Sequence, residues 1–149
     1  YNRGLFNMIG LLVTGHGNFA TGVPSSVDLI AGKQENYQAV DFLPTYNLDD
    51  LDREMTKALE NLKDCSGVLI LCDLLGGTPF NKAAELSTKY QNVKVVAGTN
   101  LSMLLEVTMT RKFEEDLNAL TDAAIESGKE QIAKYELLSI DQEEPEDGI

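Results

Sequence analysis

The chain has 149 residues, with 24 Asp and Glu against 12 Lys and Arg and a formal net charge of −12. The length suits one domain with enough apolar residues for a core. The acidic balance argues against a nucleic acid or an anionic membrane as partner, since both need a basic surface, and fits a partner with a basic or apolar docking face.

The longest apolar runs are too short to span a bilayer, and no signal peptide is visible. Cys65 and Cys72 are not spaced as C-x-x-C and read as buried, reduced thiols of a cytoplasmic protein. With one histidine and no cysteine pair at ligand spacing, no metal site is expected. Tyr1 to Asn7 precede the first methionine and are left out of the fold reading.

In chain order, Met8 to Thr14 reads as a buried first strand. It leads into Thr14-Gly15-His16-Gly17, which holds the only histidine. A glycine on each side permits a tight turn and close approach to the imidazole. Val23, Val27, Ile30 and Ala31 have helical spacing, with Pro24 in a first turn or at a kink and Gly32 as the stop. Tyr37 to Phe42 reads as a second strand ending at Leu43-Pro44. Asn47 then caps an amphipathic helix with Leu48, Leu51, Met55, Ala58, Leu59 and Leu62 on one stripe. Asp49, Asp50 and Asp52 sit where the helix dipole favours them and read as a solvated helix start, not a metal cluster.

Gly67 to Cys72 is nearly all apolar, as a central parallel strand covered on both faces should be. Asp73 ends it. In Gly76-Gly77-Thr78-Pro79, Thr78 reads as the N-cap and Pro79 as the first residue of a third helix, through about Tyr90. Val93 to Ala97 reads as a fourth strand. Leu101 to about Thr110 reads as a short helix with Leu101, Leu104, Leu105 and Met109 inward, and Phe113 to about Lys134 as a longer one. Tyr135 to Ile140 reads as a short fifth strand. Asp141 to Ile149 holds five acids and a proline and is expected to be disordered. Strands alternating with helices predict an α/β three-layer sandwich with a mainly parallel sheet.

In a flavodoxin-like order, strands one and three are neighbours, so His16 and Asp73 face one crevice. A carboxylate on one imidazole nitrogen fixes the tautomer and leaves the other nitrogen as a nucleophile. The amides of Gly76, Gly77 and Thr78 at a helix start, with the Thr78 hydroxyl, can hold a phosphoryl oxygen, and Thr14 can add a second hydroxyl. Each residue also has an ordinary reading. His16 alone is a surface or capping histidine, Asp73 a strand-end residue bonding loop amides, and Gly-Gly-Thr-Pro a turn with a helix cap. Their convergence on one crevice favours the chemical reading.

These residues resemble the IIA components of the mannose-type sugar phosphotransferase system. The matching stretches are Thr14-Gly15-His16-Gly17, Asp41-Phe42-Leu43-Pro44, Asp73 with Gly76-Gly77-Thr78-Pro79-Phe80-Asn81, and Gly98-Thr99-Asn100-Leu101-Ser102-Met103-Leu104. The resemblance covers Met8 to about Ile140 and implies a phosphohistidine relay. His16 would take a phosphoryl group from the phosphocarrier HPr and pass it to a IIB component, which phosphorylates a sugar admitted by the membrane IIC and IID components. Asp73 matches the family's orienting aspartate, and Thr78 its hydroxyl residue near the phosphate. The relay needs no metal, nucleotide or other cofactor.

The implied fold is a parallel sheet in the order 2-1-3-4, with a fifth, antiparallel strand exchanged in a homodimer; Tyr135 to Ile140 fits that strand. Some members carry tryptophan where this chain has Leu74-Leu75. Some continue into a IIB domain, which here is expected on a separate polypeptide. Rival readings are the phosphodonor subunit of dihydroxyacetone kinase and a regulatory module phosphorylated as a signal. A histidine phosphatase or mutase is disfavoured, because those carry arginine where this chain has Gly15.

Overall fold

A computed structural model of the chain describes residues 8–138. The expectations for Tyr1 to Asn7 and for Asp141 to Ile149 lie outside the described residues. The elements are β1 (Gly10–His16), α1 (Phe19–Gly22), α2 (Pro24–Ala31), β2 (Tyr37–Phe42), α3 (Leu48–Asn61), β3 (Val68–Cys72), α4 (Thr78–Ser87), β4 (Val93–Val96), α5 (Leu101–Thr110) and α6 (Leu117–Glu130).

The four strands form one parallel sheet in the order β2-β1-β3-β4. β1 and β3 lie in the middle, which is why both are almost wholly apolar and buried. Because alternate side chains point to opposite faces, the strands feed two cores. Leu11, Val13, Leu69 and Leu71 meet Ala20, Val27, Met103, Leu104, Val107, Leu117 and Leu120 on one face. Leu12, Val40, Ile70 and Cys72 meet Leu51, Met55, Leu59, Ala83 and Leu86 on the other. Each fully buried leucine contributes about 1.5–3 kcal/mol. The result is the three-layer α/β sandwich expected from the alternation, in the expected strand order.

Several boundaries differ for local reasons. β1 continues to His16, because Gly15 and His16 pair with Asp41 and Phe42 of β2, so His16 ends the strand itself. The first helical segment is two helices. Pro24 opens α2, where its missing N–H leaves no bond unmade, and the chain turns at Val23. α4 has Gly77 as N-cap, in extended conformation, and Thr78 as its first residue. α6 starts at Leu117, because the Asp116 carboxylate accepts the Asn118 N–H and fixes the start there. Leu48 and Met109, expected inward, are exposed. Residues 132–138 form no regular element within the chain, so the part of the expected fifth strand among the described residues, Tyr135 to Leu138, is unpaired here. Ser139 and Ile140 lie outside the described residues.

The acids at the start of α3 have specific tasks. Asp50 completes a capping box with Asn47, and Asp52 pairs with Lys82 of α4 at 3.1 Å. Arg111, which the sequence reading passed over, is fully buried at the end of α5. Its Nη1 donates to the carbonyls of Ile9 (2.9 Å) and Asn36 (3.0 Å), and its Nη2 to that of Glu35. Burial pulls its pKa down to about 10. It ties α5 to the chain entering β1 and β2. No helix among the described residues is long and apolar enough to cross a membrane.

Candidate functional site

The site lies at the carboxyl ends of β1 and β3. Their parallel register pairs Thr14 with Cys72, so Asp73 falls beside the Gly15–His16 peptide although 57 residues separate it from His16. Asp73 Oδ2 lies 2.8 Å from His16 Nδ1 and accepts the His16 backbone N–H at 2.8 Å, while Oδ1 accepts the Leu74 N–H at 2.8 Å. Burial opposes the charge on Asp73, but the bonds from the His16 amide and ring and from the Leu74 amide outweigh it and hold the carboxyl below the usual range. An ionised carboxylate only accepts. Nδ1 therefore carries the proton shared with Asp73, and Nε2 of the neutral ring presents a lone pair. The His16 side chain is 45% exposed and that of Asp73 only 11%, so the ring stands half open to solvent while the carboxylate that bonds it is recessed.

Two glycines make room for this pair. A Cβ at Gly15 would lie 2.9 Å from Asp73 Cγ and 2.7 Å from Phe19 Cδ2, and one at Gly77 would lie 2.9 Å from His16 Cε1. The edge of the Phe42 ring closes another side, with centroids 6.1 Å apart. Gly76 has φ +80°, a conformation that favours glycine. The start of α4 thus lies against the imidazole with no side chain capping it, and its first-turn amides have no intrahelical acceptor.

The structure brings together His16, Asp73, Gly77 and the adjoining Gly76 and Thr78. Thr78 is the first residue of α4, next to its N-cap Gly77. Thr14 is different. Its side chain is fully buried and its hydroxyl donates to the Val40 carbonyl at 2.8 Å. It braces β1 against β2 and offers no hydroxyl to the crevice, a correction to the role expected from sequence. Cys72, next to Asp73, is pushed up to about 12 by burial and by that carboxylate, which keeps it a neutral thiol. Lys82, the nearest base along α4, is held by Asp52 and Glu85, each at 3.1 Å.

Two features singled out by the resemblance, Leu74-Leu75 as a departure at the wall of the site and Asp41 in a shared turn, have definite places in the structure. Leu74 and Leu75 are 59% and 80% exposed beside Asp73, an apolar rim on the crevice. The Asp41 carboxylate, on the other side of β1, accepts the Thr21 N–H (3.1 Å), the Thr21 hydroxyl (2.7 Å) and the Asn18 side-chain amide (3.2 Å). The signal was an acid at the end of a strand just before a Phe-Leu-Pro turn.

A nucleophilic ring nitrogen of fixed tautomer, half open to solvent and set against a helix start, is equipped for reversible group transfer to and from a docked partner. The family model described as "PTS system fructose IIA component" matches residues 10–125. The chain is 30% identical over 145 residues to a fructose-specific EIIA component of the phosphotransferase system (PTS) of Bacillus subtilis, covering 93% of this chain and 99% of the relative. It is 30% identical over 137 residues to the PTS mannose-specific EIIAB component of Escherichia coli, covering 92% of this chain but only 42% of that relative's length. A crystal structure of a PTS EIIA component from Streptococcus agalactiae superposes with a TM-score of 0.79 at 38% identity, over 85% of this chain and 97% of that one. With a family model matched over most of its length and a relative aligned almost end to end, the chain belongs to the mannose-type IIA components of the sugar phosphotransferase system.

Proposed function

We propose that the protein is a cytoplasmic phosphoryl carrier of a sugar-transport phosphotransferase system, receiving the group from phosphorylated HPr and passing it to a IIB component that acts with membrane IIC and IID components. The observation that carries this reading is the 2.8 Å contact between His16 Nδ1 and Asp73 Oδ2. It fixes the proton on Nδ1 and leaves Nε2 as the nucleophile on the exposed side of a recessed carboxylate.

In the first transfer the Nε2 lone pair attacks phosphorus in line with the donor's N–P bond. That bond breaks, its electron pair returns to the donor imidazole, and a new N–P bond forms on His16. The second transfer repeats the exchange with IIB as acceptor. The Nδ1 proton stays on Asp73's side throughout, and Asp73 stabilises the positive charge that grows on the ring. The amides of Gly76 and Thr78 and the Thr78 hydroxyl are the donors we assign to the phosphoryl oxygens, which suits a helix start without a cap; the Gly77 N–H, expected to join them, already donates to the Leu74 carbonyl at 3.3 Å and would have to exchange that bond for a phosphoryl oxygen. Exchange between two imidazoles is close to thermoneutral and needs positioning more than driving force.

The family resemblance also implies a homodimer with an exchanged strand, and the surface supports that reading. β4 is an edge strand. Beside it runs an open groove of about 520 Å³ lined by Leu75, Phe80, Val95, Val96 and Ile125 among others. Tyr135 and Leu137 are 80% and 88% exposed in a segment that pairs with no strand among the described residues. Adding that segment to a second copy's β4 covers both.

The test is phosphorylation in a mixture of phosphoenolpyruvate, enzyme I and HPr. The wild type is expected to gain one acid-labile phosphoryl group and folded His16→Ala none. An unlabelled wild type beside an active control acceptor, or a labelled His16→Ala, refutes the assignment.

A further inference from the structure

We infer that Asp41 is a positioning residue for His16, acting through the segment that follows it; this rests on the reading of His16 as the phosphoryl acceptor. Asp73 holds the imidazole and the peptide N–H of His16 from the β3 side of β1. Asp41 mirrors it from the β2 side, where it pairs in register with Gly15. Its carboxylate takes the Thr21 N–H, the Thr21 hydroxyl and the Asn18 side-chain amide, so it gathers both ends of the Asn18–Thr21 segment onto the sheet.

Asn18 stands at the N-cap of α1, yet its side chain makes no capping bond there. Asparagine is among the best N-cap residues, and here its amide is turned to Asp41 instead. Next to these anchors the Gly17 N–H donates to the Phe42 carbonyl at 2.8 Å, and Gly17 has φ +58°. The segment carries Phe19, whose Cδ2 and Cβ, like Asp73 Cγ, each lie under 3 Å from where a Gly15 Cβ would be, so Phe19 and Asp73 both close on this glycine.

The chain of contacts is therefore Asp41 to Thr21 and Asn18, Phe19 to Gly15, and Gly15–His16 to Asp73. Releasing α1 lifts Phe19 and frees the Gly15–His16 peptide. The His16 amide bond to Asp73 then loses its register, and with it the direction of Nε2. In-line transfer tolerates little such error, since a misplacement of about 1 Å can cost on the order of a hundredfold in rate.

The experiment compares Asp41→Asn, Thr21→Val and Thr21→Ser with wild type. Asparagine keeps the shape of Asp41 but loses one acceptor oxygen; valine keeps the shape of threonine without its hydroxyl. We expect the rate of phosphoryl acceptance at saturating phosphorylated HPr to fall about tenfold in Asp41→Asn and Thr21→Val, with the half-saturating HPr concentration unchanged. Long-range imidazole ¹H–¹⁵N spectra should show the fixed Nδ1–H tautomer giving way to a mixture in the same two variants. Thr21→Ser should restore both properties. Wild-type rates and spectra in Asp41→Asn and Thr21→Val overturn the proposal, as does a rise in the half-saturating concentration alone, which makes Asp41 part of a docking surface. If wild type accepts no phosphate from HPr, the relay fails, while the imidazole spectra still decide the role of Asp41.

Discussion

At the scale of single residues, the Asp73 carboxylate meets His16 at both the ring Nδ1 and the backbone N–H, each at 2.8 Å, and on the proposed function it is this carboxylate that locates the ring proton. Asp73→Asn keeps the size of the side chain but presents an amide that can donate as well as accept, so the tautomer is no longer dictated. Phosphoryl acceptance should fall by on the order of a thousandfold or more with the fold retained; a wild-type transfer rate would make Asp73 purely structural. The same residue sets a pH dependence. Its folded pKa lies below its ordinary value, so the unfolded chain holds that proton more tightly and stability rises with pH through this range. The contribution is complete above the ordinary carboxylate range and is lost as pH falls below about 4, through the depressed folded value. Denaturant midpoints measured across that range should show a steeper acid loss for wild type than for Asp73→Asn. His16 and Asp73 were both legible in the sequence, because each ends an apolar run that can only be a central strand. Thr14 was misjudged because a hydroxyl two residues before the histidine shares its face in sequence, and only the β1–β2 pairing shows it donating to Val40.

At the scale of elements, the parts read correctly were those whose pattern is local. β2 and the span of α5 came out as expected. In α3 the Asn47 cap and the Leu51–Met55–Leu59 stripe suffice to define the helix. The misreadings have tertiary causes. Met109 was placed inward by spacing, but Arg111 takes the interior at that end of α5. An arginine at a helix C-terminus ordinarily reads as a solvated partner of the dipole, so nothing local marked it as the staple holding α5 to the starts of β1 and β2. Arg111→Ala would leave the carbonyls of Ile9, Glu35 and Asn36 without this donor and open a cavity. Urea unfolding should report a loss of about 3–5 kcal/mol. A change below about 1 kcal/mol would mean that water replaces the guanidinium without cost.

At the scale of the molecule, the parallel three-layer sandwich followed from the alternation of strands and helices and its strand order from the family resemblance, but the end of the chain did not follow from its own residues. Tyr135 to Leu138 alternate poorly, are exposed and pair with no strand among the described residues; a strand completed by another copy, as proposed, would leave only a weak trace in one chain's sequence. On the proposed strand exchange, the full chain should run as a dimer by light scattering and a protein ending before Tyr135 as a monomer. A truncated protein of unchanged dimeric mass would contradict strand exchange. The net charge of −12 acts at this scale too, favouring encounter with a basic partner face, while the exposed Leu74 and Leu75 leave an apolar rim beside Asp73.

The most direct test of the account is which nitrogen of His16 carries the phosphoryl group. Imidazole ¹⁵N and ³¹P spectra of the ¹⁵N-labelled protein, recorded after phosphorylation through HPr, distinguish the two. Phosphate on Nε2, with Nδ1 still protonated toward Asp73, is the expected result. Phosphate on Nδ1 would contradict it, because that nitrogen is reachable only if the 2.8 Å contact with Asp73 is absent in the working protein.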